Sequence, residues 1–269
     1  MLVIHPRTVA RSQPARRRLA LGLIAAFASL PGCSSLRLQP RSDPQQTPGA
    51  TGIPRFSDAV PGQEIPAGWE PWSLHRSKRR TRYVLASDHS TTILQADADR
   101  SASGLITRMS VDITPDTLLR WRWRIASLIA DADPSVGPRD DAPVRLALAF
   151  EGDHASLPVR DRMFAERVKL LGGHDLPYAT LMYIWANTAP AGSIIANPHT
   201  GRIRKLVVDS GATELGRWRL HERNVDADFR AVFGEAPGRL RAVALMTDTD
   251  NTASVARAYY GDVVLDGVR

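Results

Sequence analysis

Three carboxylate or amide side chains fall within four positions late in the chain, in Asp248-Thr249-Asp250-Asn251. Carboxylate and amide oxygens are the hard donors that Ca²⁺ selects, so Asp248, Asp250 and Asn251 form a candidate structural calcium site. An EF-hand is excluded, because the twelfth position counted from Asp248 is Tyr259 where that loop needs Glu. The same residues also suit an Asx turn, in which Asp or Asn bonds its own backbone and shapes the connection before the last strand. That turn is the preferred reading. Glu151-Gly152-Asp153-His154 offers two carboxylates and an imidazole. A carboxylate pair roughly 5–10 Å apart can cleave glycosidic bonds, but a polar hairpin tip turning at Gly152 explains the segment more simply. Tyr178, Tyr183, Glu166 and His199 would serve a lyase or hydrolase cleft if the fold gathered them. Trp69 and Trp72 are either a sugar platform or core.

A second kind of chemistry lies in Leu119-Arg120-Trp121-Arg122-Trp123-Arg124-Ile125. A strand sends alternate side chains to opposite faces. Trp121, Trp123 and Ile125 therefore belong to a core, and Arg120, Arg122 and Arg124 to the other side. Guanidinium forks suit carboxylate and phosphate, so that row is a candidate groove for an anionic glycan or lipid headgroup. The plainer alternative is a solvated face whose arginines pair with acids on neighbouring strands. Arg145, Arg217 and Arg219 would extend the row if their strands are adjacent. Catalytic signatures are missing: there is no G-x-S-x-G, no Walker loop and no G-x-G-x-x-G. His221-Glu222 begins like a zincin, but Val225 stands where the second histidine is required.

The elements that must position these residues are mostly strands. Besides Leu119–Ile125 and the Val144–Phe150 alternation, the pattern predicts strands at Thr81–Ser87, Thr91–Ala96, Leu105–Ile113, Thr180–Trp185, Ile203–Val208, Arg217–Arg223, Arg239–Met246 and Ala258–Leu265. Short strands punctuated by Gly, Pro, Asp and Asn predict an all-β fold, an antiparallel jelly-roll-like β-sandwich. Helical insertions are expected at Pro158–Leu171, with Val159, Met163, Phe164, Val168 and Leu171 along one face, and at Asp226–Phe233, stopped by Gly234.

Charge and the N-terminus give an address. The 269 residues carry 35 Lys+Arg against 28 Asp+Glu, but residues 1–33 hold five arginines and no acid. Setting those aside leaves 30 basic residues against 28 acidic, a balance of +2 that excludes nucleic acid as the expected partner. Leu19–Leu30 is apolar and follows three arginines. It is too short to span a bilayer, which takes about 20 residues, and suits a secretory signal. Leu30-Pro31-Gly32-Cys33 resembles a bacterial lipobox, with the chain's only cysteine at the cut. Residues 1–32 are thus expected to be a lipoprotein signal peptide, and Cys33 the site of lipid attachment. Residues 33–55, rich in Pro, Gln, Ser and Gly, would be a tether, and residues 56–269 a single β-sandwich domain. Ser34, where an Asp would retain the protein in the inner membrane, points to the periplasmic face of the outer membrane.

Several segments resemble the bacterial domain of unknown function 3047. They are Gly68-Trp69-Glu70-Pro71-Trp72, Trp121-Arg122-Trp123-Arg124, Asp140-Asp141-Ala142-Pro143-Val144-Arg145, Asn197-Pro198-His199-Thr200 and Thr247-Asp248-Thr249-Asp250-Asn251-Thr252. The resemblance implies an exported bacterial protein and transfers no activity. Three functions are consistent with these features: a β-sandwich module binding an envelope ligand such as a glycan, a carbohydrate-active enzyme on a jelly-roll scaffold, or a structural partner of an envelope protein complex. Missing catalytic motifs favour the first.

Overall fold

The computed structural model describes residues 52–73, 77–172 and 175–269. The expected signal peptide, Cys33 and the expected tether up to residue 51, with His75 and His174, lie outside the described residues. In chain order the strands are β1 (Glu70–Trp72), β2 (Arg82–Asp88), β3 (Thr91–Asp99), β4 (Ala102–Val111), β5 (Leu118–Ile125) and β6 (Ala142–Phe150). They continue as β7 (Ala179–Ala186), β8 (Ile194–Ala196), β9 (Ile203–Ser210), β10 (Arg219–Asn224), β11 (Leu240–Asp248) and β12 (Val255–Asp266). Two helices interrupt them, α1 (Val159–Gly172) and α2 (Val225–Phe233). Every strand expected from alternation is present. The additions, β1 and β8, are three residues each, too short to show a period.

The strands form two sheets, a seven-stranded one ordered β1-β4-β11-β6-β7-β9-β8 and a five-stranded one ordered β10-β5-β12-β3-β2. The expected antiparallel pairing holds except at β7 and β9, which run parallel with Thr180 opposite Ile203. After β7 the chain crosses to β8 at the sheet edge, and β9 then fills the space between them. Because β9 is antiparallel to β8, it must run with β7.

The core lies between the inner faces. Trp121, Trp123 and Ile125 of β5 meet Leu146, Leu148 and Phe150 of β6, with Tyr183 and Trp185 of β7 and Tyr260 of β12. Trp123 is fully buried, and its indole Nε1 donates to Asp209 on β9 at 2.7 Å. The core also reaches into the expected tether: Ile53 is buried, as is Phe56 at the expected start of the domain, and the Pro54 carbonyl accepts from Trp69 Nε1 at 2.8 Å. The folded part therefore begins before residue 56. Trp69 stacks on Phe56 with ring centroids 5.3 Å apart, so it is core and no sugar platform.

Helix α2 is built as its sequence dictates. Asn224 caps it by accepting from the Ala227 amide at 2.8 Å, and Gly234 ends it at φ 77°. Its Phe229 packs on Phe150, centroids 4.6 Å apart. Helix α1 departs from expectation. Val159 and Met163 are 61% and 68% exposed, while Asp161 is buried, accepting from Thr200 Oγ1 at 2.8 Å and from the Gly201 amide at 3.0 Å. The apolar period predicts a face packed on the sandwich; polar contacts to the 197–201 loop hold the helix instead.

Candidate functional site

The arginine row occupies the outer face of the five-stranded sheet. β10 pairs with β5 on one side, Glu222 opposite Arg120, and β12 pairs on the other. Just before β10, Trp218 sends its Nε1 to Asp88 Oδ2, 2.7 Å away at the end of β2. β10 and β2 are the two edges of this sheet. In a flat sheet they would stand about 19 Å apart, so the outer face is a hollow bridged by these side chains. Beside the bridge opens a depression of about 480 Å³, lined among others by Ser57, Thr91, Arg120, Arg122, Glu222 and Asp262.

The three arginines are held differently. Arg120 donates to Glu222 at 2.6 Å and also pairs with Asp266. Arg124 lies 3.4 Å from Asp88, its guanidinium 4.4 Å from the Tyr259 ring centroid and 4.9 Å from that of Trp218. Arg122 stacks over Trp218 at 4.5 Å, and among the described residues no carboxylate lies within ion-pairing reach of it. Its stem crosses Gly261, where a Cβ would stand 2.5 Å from its Nε. Asp262 on the rim is occupied by the Phe56 amide at 2.8 Å, the Ser57 amide at 3.0 Å and the Ser57 hydroxyl at 2.5 Å.

The expected extensions of the row fail for reasons of register. Arg219 stands opposite Trp123 and so faces inward, donating to Asp209 at 2.9 Å. Arg145 belongs to the other sheet. What extends the face is Trp218, with Leu220 and Glu222. The alternation of Arg217-Trp218-Arg219-Leu220 carried that signal, had the register been assigned by the tryptophan rather than the arginines.

The Asp248 loop forms a different site. Asp141, Asp248 and Asp250 place carboxylate oxygens within 4.8 Å of one another. Beside them the Asn251 Nδ2 donates to the Asp140 carbonyl at 3.1 Å. Each carboxylate is already engaged. Asp248 accepts from Arg145 Nε at 2.7 Å, Asp250 pairs with Lys78, and Asp141 accepts from the Thr252 amide and hydroxyl, each at 2.7 Å. Lys205, buried beside them, pairs with Asp140 and donates to the Pro134 carbonyl at 2.6 Å. Burial pushes the Asp248 carboxyl up to about 6 despite the opposing Arg145 charge. Burial would also raise Asp140, but Arg145 and Lys205 outweigh it and hold that carboxyl below its ordinary value. These three aspartates are the residues that could hold a cation, and Arg145 and Lys78 pair with two of them. Asp248, Asp250 and Asn251 thus reach Arg145, Lys78 and the Asp140 carbonyl, not their own backbone as an Asx turn requires.

The remaining candidates are dispersed. Tyr183 is fully buried between the sheets and donates to Asp228 at 2.9 Å. A side chain committed to the core cannot meet a ligand at the surface. His199 stacks on Phe164 of α1, centroids 5.7 Å apart. Tyr178 donates to Glu235 at 3.1 Å beneath the Arg202 guanidinium. Its ring also fills the space where Gly152 would carry a side chain. Gly152 therefore serves packing against Tyr178, and the segment leads from β6 toward α1 rather than turning a hairpin. Sequence reasoning missed the Asp209 site, where one carboxylate accepts from Trp123, Arg219 and His221, the last at 2.8 Å. Burial raises that carboxyl, and the bonds from His221 and Trp123 bring it below its ordinary value. Next to it, Trp121 stacks on His221 at 4.8 Å, and its buried Nε1 has no partner among the described residues.

Several solved structures are similar in fold. The family 11 carbohydrate-binding module of a Clostridium thermocellum cellulase is 7% identical, with a TM-score of 0.38 over 77% of this chain and 92% of that one. The xyloglucanase domain of NopAA from Sinorhizobium fredii is 6% identical, with a TM-score of 0.41 over 78% and 99%. The glycoside hydrolase domain of Endo-D from Streptococcus pneumoniae R6 is 8% identical, with a TM-score of 0.31; 73% of this chain spans only 21% of it. Likenesses this distant carry no argument about function. No curated protein matches the chain. The family model described as "Protein of unknown function (DUF3047)" matches residues 67–264, nearly the whole sandwich with its arginine row, and the chain belongs to that family.

Proposed function

We propose that the chain is an exported lipoprotein, anchored through Cys33 at the periplasmic face of the outer membrane, whose β-sandwich binds a glycan in the hollow of the five-stranded sheet. One observation carries the binding role: that face holds an open depression lined by arginines, hydroxyls and the exposed Leu220, with the Trp218 ring stacked against Arg122 beside it. This is the mixture of stacking surface and hydrogen-bonding groups that a sugar needs. Binding is favoured over hydrolysis because the acids lining the depression are committed, Glu222 to Arg120 and Asp262 to Phe56 and Ser57. A general acid and its partner need free carboxyls facing the substrate.

The test is affinity electrophoresis of the full chain through gels containing soluble polysaccharides. The wild type should be retarded by at least one of them. Trp218→Ala should lose about tenfold in affinity, as expected when the ring that holds Arg122 in place is removed, without unfolding. Absence of retardation on every polysaccharide overturns the glycan reading.

A further inference from the structure

We propose that the glycan bound in the hollow is a carboxylate-bearing one, a polyuronate, and that Arg122 grips its carboxylate edge-on. This rests on the glycan reading above and names the chemistry of its ligand. The charges on the face leave one position open. Arg120 is compensated by Glu222 and Asp266, and Arg124 by Asp88. Asp262 receives three hydrogen bonds of its own. Arg122, which lines the same depression, stands opposite Leu220, and among the described residues no carboxylate pairs with it.

Its geometry also selects the partner. The Trp218 ring covers one face of the guanidinium at 4.5 Å, and Asp88 holds that ring in place through Nε1. With a face blocked, the donors left to a ligand lie along the edge of the guanidinium plane. A planar carboxylate meets that edge with two parallel hydrogen bonds. Gly261 is what lets the side chain lie flat across β12, since any Cβ there would displace it. Leu220, opposite Arg122 and exposed in the same depression, offers an apolar surface beside the fork for the sugar ring. A uronate residue carries both features, a ring and a coplanar carboxylate.

The experiment compares the full chain on polygalacturonate, on the same polymer fully methyl-esterified, on dextran sulfate and on vesicles containing phosphatidylglycerol, all at low salt, where surface charge acts most strongly. The expected result is a preference for the polyuronate over its neutral ester of at least about tenfold, as for a charged hydrogen-bonded pair. Arg122→Gln should abolish that preference and keep the weaker binding to the ester. Arg122→Lys, which keeps charge and loses the fork, should restore only part of it. Gly261→Ala provides a second route, because it moves the arginine without removing it, and should weaken polyuronate binding alike. Melting temperatures identify any variant that fails to fold. Equal binding of polyuronate and ester, unaffected by Arg122→Gln, overturns the carboxylate assignment and leaves the glycan reading standing. Binding to dextran sulfate or vesicles as tight as to polyuronate also overturns it, since a general anion or lipid surface would then be recognised. If neither polyuronate nor ester is bound, and other polysaccharides also fail, it is the glycan reading that falls.

Discussion

Asp248 sits where burial and ion pairing oppose each other. Taking a carboxylate out of water disfavours its charged form, and the Arg145 guanidinium restores part of the loss. Burial wins, and the carboxyl titrates near 6 against an ordinary 3.8. The consequence for stability has a definite sign. Between pH 3.8 and about 6 the folded chain holds a proton that the unfolded chain has released, so this group's contribution falls as pH rises through that window and is constant above it. Across the whole window the change amounts to about 3 kcal/mol. Asp140 and Asp209 act the other way: their lowered values stabilise the fold above the ordinary carboxylate range and lose that effect in stronger acid. Urea denaturation across pH 4–7 should show the stability of wild type relative to Asp248→Asn declining toward pH 6 and then levelling. A difference that stays constant over this range would mean that Asp248 titrates as an ordinary surface carboxylate.

At the scale of elements, β5 decides both the core and the candidate surface. Its period of two places Trp121, Trp123 and Ile125 inside and the arginines outside, and the sheet on each side completes both faces. Trp123 also ties the sheets together, because its indole on β5 donates to Asp209 on β9. Trp123→Ala should therefore destabilise the domain by roughly 3–5 kcal/mol, the range for a large aromatic truncated in a packed core, with added cost from the donor lost to Asp209. Chemical denaturation measures it; a loss under about 1 kcal/mol would show that the inner face tolerates a cavity and is not close-packed. The helices teach the complementary lesson. α2 was legible because its cap, its stop and its buried residues agree. The extent of α1 was legible from periodicity, but its apolar stripe does not reach the core; Asp161, a residue that pattern reading assigns to solvent, makes the buried contact.

For the molecule as a whole, the address and the binding face are separate propositions. The address rests on a lone cysteine placed after Leu30-Pro31-Gly32. Metabolic labelling with a fatty-acid analogue should mark the wild type and not Cys33→Ser, and the variant should leave the membrane fraction. Equal labelling of both forms, or of neither, removes the anchor. The face rests on tertiary structure and is tested through Trp218 and Arg122, so either proposition can fail alone. Among the described residues no helix is long and apolar enough to cross a membrane.

What the sequence by itself determined about this protein is what depends on short-range rules. Strand alternation, turn residues and helix caps act within a few positions, so the strands, the all-β class and the inward side of Trp121 and Trp123 could be read directly. The identity of partners across strands could not. Trp218 and Asp88 are 130 positions apart and meet only because the sheet curves. Arg122 differs from Arg120 and Arg124 solely in which acids the neighbouring strands bring opposite it. Asp248 meets Arg145, 103 positions away, because β11 lies beside β6. Register and sheet order are set by the packing of the whole sandwich, and at this site they decide which charges remain free to bind.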